Sequence, residues 1–517
     1  MKTSVDQTRS RIVWGAMLCV LVVVVLIPCC PWYGGQTVSR DAGAYLYMGQ
    51  QILRGQVPYR DLWDHKPPGI HLVNAAGLLI AHGSPWGVWF LEVLSIGAAA
   101  GICYRVLDRA FEPTTAAIAT SLWVVSYSVI LNKFGNLTEE FVLPLQFAAL
   151  SLFQTADDTK HPRLSMIGFG LTSAAAFLLK PTLIGVWAAI AMVWLFRSPR
   201  RFPGRIGWAA LGAAALFGAT LFWLGLNGAV RDFVDQLFTY NAAYSADATV
   251  SGRWQTIVDL CSSLGRSGIL LPAVIGLLCA AVLAVRRARW GMGPILLVVM
   301  VDIPLEVVLI ALPGRAYPHY YLSALPVLAV AAAMMIAVLV AVTPRPLETV
   351  VAGLVVLVMS FPALRSLRSS LRATNSPSTA SDLGRQLAAT TEETDTVLVW
   401  GAEPEINFFA NRPSPTRYFY QYAFYTPGYA AKPRIEEFER AIGQHPPAVI
   451  VDTSPANPYI PPLDASDRIH WHATFPYVMA PAIHPIADRL QERYTMVRTV
   501  GWEKWRVYVR KPGRGDR

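Results

Sequence analysis

The sequence predicts a polytopic α-helical membrane protein of about 11 spans that carries a small extracytoplasmic α/β domain at its carboxyl end. Three observations predict this. Of 517 residues, 54% are hydrophobic and only 15% charged. With a mean hydropathy of +0.38, that is too apolar for a soluble globular chain. Apolar runs approaching the roughly 20 residues needed to cross a hydrocarbon core of about 30 Å recur along most of the length. The last part of the chain then changes to short β-branched runs set between turn residues.

The net charge of +10 is orientation charge and calls for no nucleic acid, because the arginines cluster in short loops between apolar runs. The cysteines, at 19, 29, 30, 103, 261 and 279, form no C-x-x-C pair, so neither a disulfide framework nor a zinc site is legible.

The first run, Ile12 to Pro28, follows Lys2, Arg9 and Arg11 and reads as a retained signal anchor with a cytoplasmic amino terminus. Further spans are expected at Trp86–Tyr104, Ala116–Leu131, Phe141–Phe153, Leu164–Leu179, Leu183–Phe196 and Ile206–Leu226. After a long outer loop, Asn227–Ser267, come Ile269–Val285, Pro294–Leu312, Leu322–Val342 and Val350–Phe361. The loop RSPRRFPGR, with four arginines in nine residues, is the strongest inside marker. The apolar stretch Pro67–Ala81 is short and holds His71 and Asn74. If it crossed, the arginine-rich loops would face outward, so it is expected to be interfacial or re-entrant. Asp41–Asp64, Glu139–Glu140, Lys180 and RAYPHYY are then all expected on the outer face.

Toward the carboxyl end, TDTVLVWG and PPAVIVDTS read as buried strands with a helix at Arg434–Ile442 between them. YTMVRTV and WRVYVRK read as a closing hairpin. The expected domains are a membrane module at 1–365 with its first outer loop at 32–85, a linker at 366–385 and the α/β domain at 386–517.

Ionisable residues gather in a few places. Asp41 opens an amphipathic helix on which Tyr45, Met48 and Ile52 share a face suited to a membrane surface. Asp41 can cap that helix, serve as a catalytic carboxylate, ionised at neutral pH and ready to accept a proton, or do both. DLWDHKPPG adds Asp61, Asp64, His65 and Lys66 ahead of a proline-fixed helix start. Lys66 can snorkel to headgroups or grip the phosphate of a lipid-linked substrate. Glu139 and Glu140 begin a span, where acids also suit the helix dipole. Asp302 and Glu306 lie one turn apart inside a span, as a buried structural pair or as functional groups. Arg315, His319, Tyr320 and Tyr321 follow at its outer end; the tyrosines suit an interfacial belt, and the cations can meet a phosphate. In the carboxyl-terminal part only scattered acids stand out, Glu403, Glu405 and Asp452.

Taken in order, R-D-x-G-x-Y, G-x-x-P-Y-x-D, H-K-P-P, an acidic pair opening a later span, and H-Y-Y-L followed by L-P resemble family 39-like glycosyltransferases of the GT-C superfold. These are relatives of protein O-mannosyltransferases and of aminoarabinose transferases. The resemblance runs from about Trp14 to Pro326. It implies a GT-C-like module that moves a sugar from a polyprenyl-phosphate donor to an acceptor outside the cytoplasmic membrane, with inversion. The acceptor class, whether glycan, lipid or protein, stays open. By the same resemblance Asp41 matches the catalytic aspartate, Glu139 or Glu140 the second acidic position, Lys66 the carrier-phosphate lysine, and His319–Tyr320 the late H-Y motif. His65, Tyr45, Lys180 and Arg315 are counted with the substrate-binding groups. No cofactor is required; a divalent ion held by Asp41 with Glu140 is an option that no ligand cluster demands. The rival reading is a transporter or flippase of a lipid-linked glycan, with Asp302 and Glu306 as coupling groups. Against it, no inverted repeat or pair of broken helices is visible.

Overall fold

The computed structural model describes residues 4–31, 39–131, 135–285, 293–343, 378–429, 431–456, 460–474 and 483–511, with isolated positions between 354 and 368. Two compact units interleave along the chain. The first comprises Met1–Cys30, Trp89–Phe222 and Ala248–Ala373; the second comprises Pro31–Val88, Trp223–Asp247 and Thr374–Arg517. The sequence reading kept the outer loop 32–85 with the membrane module. In the fold that loop and the carboxyl-terminal residues belong to one compact unit. The linker expected at 366–385 is in part helix, since Thr379–Thr390 is helical with Ser378 as its cap, the Ser378 side chain accepting from the Ser381 N–H.

The first unit is a helical bundle. Among the described residues seven helices are long and apolar enough to cross a membrane, or eight if the pair Val250–Ser267 and Leu270–Leu283, bent by 94°, is one span. The sequence expectation of about 11 also counted segments that form shorter or more polar helices, such as Thr138–Thr155 and Gly185–Arg197. The expected span at Val350–Phe361 lies almost wholly outside the described residues. The Pro113–Leu131 helix is buried nearly all round, as a helix apolar on every face should be. Gly268, at φ 86°, ends the Val250–Ser267 helix in the left-handed conformation. That helix lies within Asn227–Ser267, where the sequence predicts a loop. Residues with Cβ atoms at Gly170 and Gly212 would strike the carbonyls of Ala209 and Ile167. These two glycines let the Pro162–Leu179 and Phe202–Leu226 helices approach backbone to backbone.

The second unit is built on a four-stranded sheet of order β1-β2-β4-β3, with β1 Val397–Trp400, β2 Val449–Asp452, β3 Tyr494–Val500 and β4 Trp505–Arg510. β1 and β2 run parallel, and β4 is antiparallel to both β2 and β3. The expected strands, the helix between them (Ala431–Gln444) and the closing hairpin are all present. Side chains alternate across the sheet. Val397, Val399, Val449, Val451 and Val507 pack beneath it with Leu383 and Leu387. Leu398, Trp400, Ile450 and Tyr508 face a second layer that includes Tyr47, Met48 and Trp63. The helix Arg40–Leu53 is therefore part of this core. Tyr45 and Met48, expected at a membrane surface, are 1% and 0% exposed. The helix Pro68–Ile80 has 13 residues, about 20 Å at 1.5 Å per residue. That is shorter than a hydrocarbon core, in keeping with the interfacial expectation.

Candidate active site

In the second unit, the Arg40–Leu53 helix is capped by Ser39, whose Oγ accepts from the Ala42 N–H at 3.2 Å. This settles the capping question against Asp41, which sits in the first turn with its carboxylate directed to Lys66. Lys66 Nζ lies 3.3 Å from Asp41 Oδ1 and 5.1 Å from the centre of the Tyr45 ring. Arg40, next to Asp41, donates from Nε to Glu403 Oε1 at 2.7 Å. Glu403 also accepts from the Ala402 N–H at 2.9 Å and from the Thr453 hydroxyl. The Asp61 carboxylate closes a local turn, accepting from the Val57 N–H at 2.8 Å and pairing with Arg60.

Behind Lys66 lies Asp64, 1% exposed. Its Oδ1 accepts from the Lys66 N–H at 3.2 Å and from the Tyr420 hydroxyl at 2.9 Å. Its Oδ2 stands 3.4 Å from His71 Nε2. Burial opposes ionisation of Asp64, but His71, His65, Lys66 and the Tyr420 hydroxyl outweigh it and lower its pKa. Burial holds the His65 and His71 imidazoles down to about 4, so both are neutral at pH 7. Lys66 is therefore the cation of the His65–Lys66 pair.

In the first unit, the adjacent glutamates at the start of the Thr138–Thr155 helix have different fates. Glu139 Oε1 receives Lys180 Nζ at 2.6 Å, and that ammonium lies 3.4 Å from the centre of the Tyr320 ring. His319 packs edge-on against Tyr320, with ring centres 4.7 Å apart. Glu140 turns back instead. Its Oε2 accepts from the Leu137 N–H at 2.6 Å, satisfying one of the orphan donors of the helix start, and its Oε1 accepts from the Tyr127 hydroxyl. Arg315, half-buried, precedes Tyr317 on the turn into the Pro318–Ala324 helix; its carbonyl accepts from the Tyr317 N–H at 3.0 Å. Asp302 and Glu306 are 0% and 1% exposed. Both crowd Gly185, where a Cβ would strike the Glu306 carboxylate. Neither forms a salt bridge with a cation among the described residues.

Among the described residues no three of His, Cys, Asp or Glu converge as metal ligands. Both Glu140 oxygens are engaged by Tyr127 and Leu137, and no step below is routed through a metal ion.

Residues 65–223 match the family model described as dolichyl-phosphate-mannose-protein mannosyltransferase. The crystal structure of ArnT from Cupriavidus metallidurans in the apo state aligns with a TM-score of 0.64 at 13% identity, over 96% of this chain and 97% of that one. The same protein bound to undecaprenyl phosphate aligns at 0.63 and 14% identity, over the same shares. The archaeal oligosaccharyltransferase AglB from Archaeoglobus fulgidus, in complex with an inhibitory peptide and a dolichol-phosphate, aligns at 0.52 and 13%, over 98% of this chain and 74% of that one. No curated protein matches. The chain has the GT-C glycosyltransferase fold. The fold class read from the sequence is borne out, and the family model over residues 65–223 agrees with the family 39-like resemblance.

Within this GT-C fold the sequence-derived residues form two clusters, one in each compact unit. Asp41, Tyr45, His65 and Lys66 lie in the second; Glu139, Lys180, His319 and Tyr320 lie in the first. The sequence gives Arg40 and Glu403 no role and does not single out Tyr420; Arg40 pairs with Glu403 beside Asp41, and Tyr420 anchors the His65–Lys66 turn through Asp64. The available signal was RYFYQYAFY at 417–425, an aromatic density unusual for a loop.

Proposed function

We propose that the protein transfers a sugar from a polyprenyl-phosphate carrier to an acceptor hydroxyl or amine, with inversion at the anomeric carbon. The observation that carries the reading is the Asp41–Lys66 pair, a carboxylate and an ammonium 3.3 Å apart at the start of one helix. Glycosyl transfer from a phosphate needs both. The acceptor O–H or N–H gives its proton to the Asp41 carboxylate as its lone pair forms the bond to the anomeric carbon. The bond from that carbon to the phosphate oxygen breaks on the opposite face, and the carrier phosphate leaves with the electron pair. Lys66 offsets the charge that gathers there, and a cation fixed in advance is worth more than one that must reorganise. The undecaprenyl phosphate bound to ArnT and the dolichol-phosphate bound to AglB support a lipid carrier of this class.

Glu139 and Lys180, with Tyr320 and His319 beside them, are assigned to substrate binding, and Arg315 joins them as a phosphate-facing cation. Glu140 is assigned to helix structure. The arginine-rich loops support a multi-pass arrangement in the cytoplasmic membrane with the reacting groups and the sheet domain outside.

The test is sugar transfer from a radiolabelled polyprenyl-phosphate donor by Asp41→Asn, at membrane abundance equal to wild type. The expected loss is about 10²- to 10⁴-fold, the usual worth of a general base. Near-wild-type transfer would defeat the assignment. The same label tests the flippase reading, because an enzyme releases free polyprenyl phosphate whereas a flippase moves the intact conjugate.

A further inference from the structure

Lys66 can meet a carrier phosphate only if its backbone is held in place. Pro67 and Pro68 fix the chain on one side. On the other side the Trp63–Lys66 turn is held by one nearby hydrogen bond and by three from distant parts of the sequence. Tyr59 donates its hydroxyl to the Lys66 carbonyl at 2.9 Å. Asn241 donates to the His65 carbonyl at 2.8 Å. The Asp64 N–H donates to Gln236 Oε1 at 3.1 Å, and the Trp63 N–H to the Arg417 carbonyl at 2.9 Å.

The side chain at the centre is Asp64, whose Oδ1 takes both the Lys66 N–H and the Tyr420 hydroxyl. Tyr420 comes from the carboxyl-terminal sequence, 356 residues away. Its ring packs edge-on against Trp63 with centres 5.5 Å apart, and its hydroxyl lies 3.4 Å from His65 Nδ1.

We infer that Tyr420 is a positioning residue for carrier binding: acting through Asp64, it sets the place of Lys66, and so makes the carboxyl-terminal domain part of the phosphate-binding apparatus. This inference rests on the assignment of Lys66 to the carrier phosphate. Its chemical logic is one of competition. The Tyr420 hydroxyl is the side-chain donor seated on Asp64 Oδ1, at 2.9 Å, while His65 Nδ1 stands off at 3.5 Å and a neutral imidazole has only one N–H to place. Without it, that oxygen is under-satisfied in a buried site and the Lys66 turn loses its anchor. Lowering the pH supplies a replacement, since a protonated His65 can donate to the same oxygen. The titratable groups facing Asp64 are His65, Lys66, His71, Tyr59, Tyr240 and Tyr420.

The experiment measures binding of undecaprenyl phosphate to the full-length protein in detergent–lipid micelles. Tyr420→Phe keeps the ring against Trp63 and removes only the hydroxyl. Its Kd at pH 7.5 is expected to rise about tenfold. The ratio of variant to wild-type Kd is expected to shrink to about threefold or less at pH 4, where His65 takes up its proton, a recovery that general loosening would not give. In an Asp64→Asn background, Tyr420→Phe is expected to add less than about twofold, because the two act as a unit. Tyr425→Phe is the control, since that buried hydroxyl has no hydrogen-bond partner among the described residues; it is expected to leave Kd unchanged.

If Lys66→Ala leaves Kd unchanged, the phosphate assignment fails and takes this inference with it. If Lys66→Ala weakens binding while Tyr420→Phe does not, the inference alone is overturned. A pH-independent ratio, or full additivity with Asp64→Asn, also overturns it. So does failure of Tyr420→Phe to accumulate, because a positioning hydroxyl is dispensable for folding.

Discussion

Two carboxylate–lysine pairs, one in each compact unit, look alike in a sequence and differ in structure. Asp41–Lys66 is long at 3.3 Å, with side chains 38% and 17% exposed. Glu139–Lys180 is short at 2.6 Å, with side chains 1% and 14% exposed. A long, half-open pair is weakly held and can exchange partners, so its lysine can turn to a phosphate and its carboxylate to a proton. A short, buried pair is costly to break and suits fixed orientation. The contrast lies in the carboxylate: an exposed Asp41 can exchange partners during chemistry, whereas a buried Glu139 holds its lysine in one orientation for whatever binds beside it.

The largest expected effect sharpens this contrast. Glu139→Ala leaves the Lys180 ammonium buried without its partner and is expected to cost about 3–5 kcal/mol of stability. Asp41→Ala, at a half-exposed pair, is expected to cost under about 1 kcal/mol. Chemical or thermal unfolding of both variants in the same detergent checks this; equal losses would erase the distinction.

A smaller effect separates the neighbouring glutamates. Glu140→Ala removes the acceptor for the Leu137 N–H and the Tyr127 hydroxyl, at an expected cost of about 1–3 kcal/mol. Glu140→Gln keeps an acceptor and should recover much of that. If donor binding rather than stability responds to Glu140→Gln, its structural assignment is wrong.

The remaining effect is a gradual one of pH, and it belongs to the Asp41–Lys66 side. His65 and His71 titrate near 4 in the folded protein, below the ordinary 6.5. Between those values the unfolded chain binds protons that the folded one refuses, so stability falls as pH falls. The slope is at most about 1.4 kcal/mol per pH unit for each imidazole, and it flattens below pH 4. Unfolding midpoints of wild type and His71→Gln across pH 4–7 check this; parallel curves would contradict it.

Much of this arrangement was legible in the sequence, because apolar length and β-branched runs are local signals. The strands at 397–400, 449–452, 494–500 and 505–510 follow from turn residues and alternation. Asp41, Lys66 and the Glu139–Glu140 pair follow from the cost of placing charge beside a membrane. What was not legible depends on contacts distant in sequence. That Tyr45 and Met48 pack into a protein core rather than on lipid needs the partner surface, since an amphipathic face does not name what covers it. The distinction between Glu139 and Glu140 needs Lys180 and Tyr127, 41 and 13 residues away. Tyr420 and Glu403 reach their partners, Asp64 and Arg40, across more than 350 residues, and no spacing rule connects them.

The central claim is a division of labour within one ion pair, in which Lys66 holds the carrier phosphate and Asp41 does not. Undecaprenyl phosphate binding to wild type, Asp41→Asn and Lys66→Ala tests it directly. The account predicts that Lys66→Ala weakens binding at least about tenfold, while Asp41→Asn binds as tightly as wild type or tighter, having lost a carboxylate that competes for the lysine. Equal weakening by the two substitutions would contradict it.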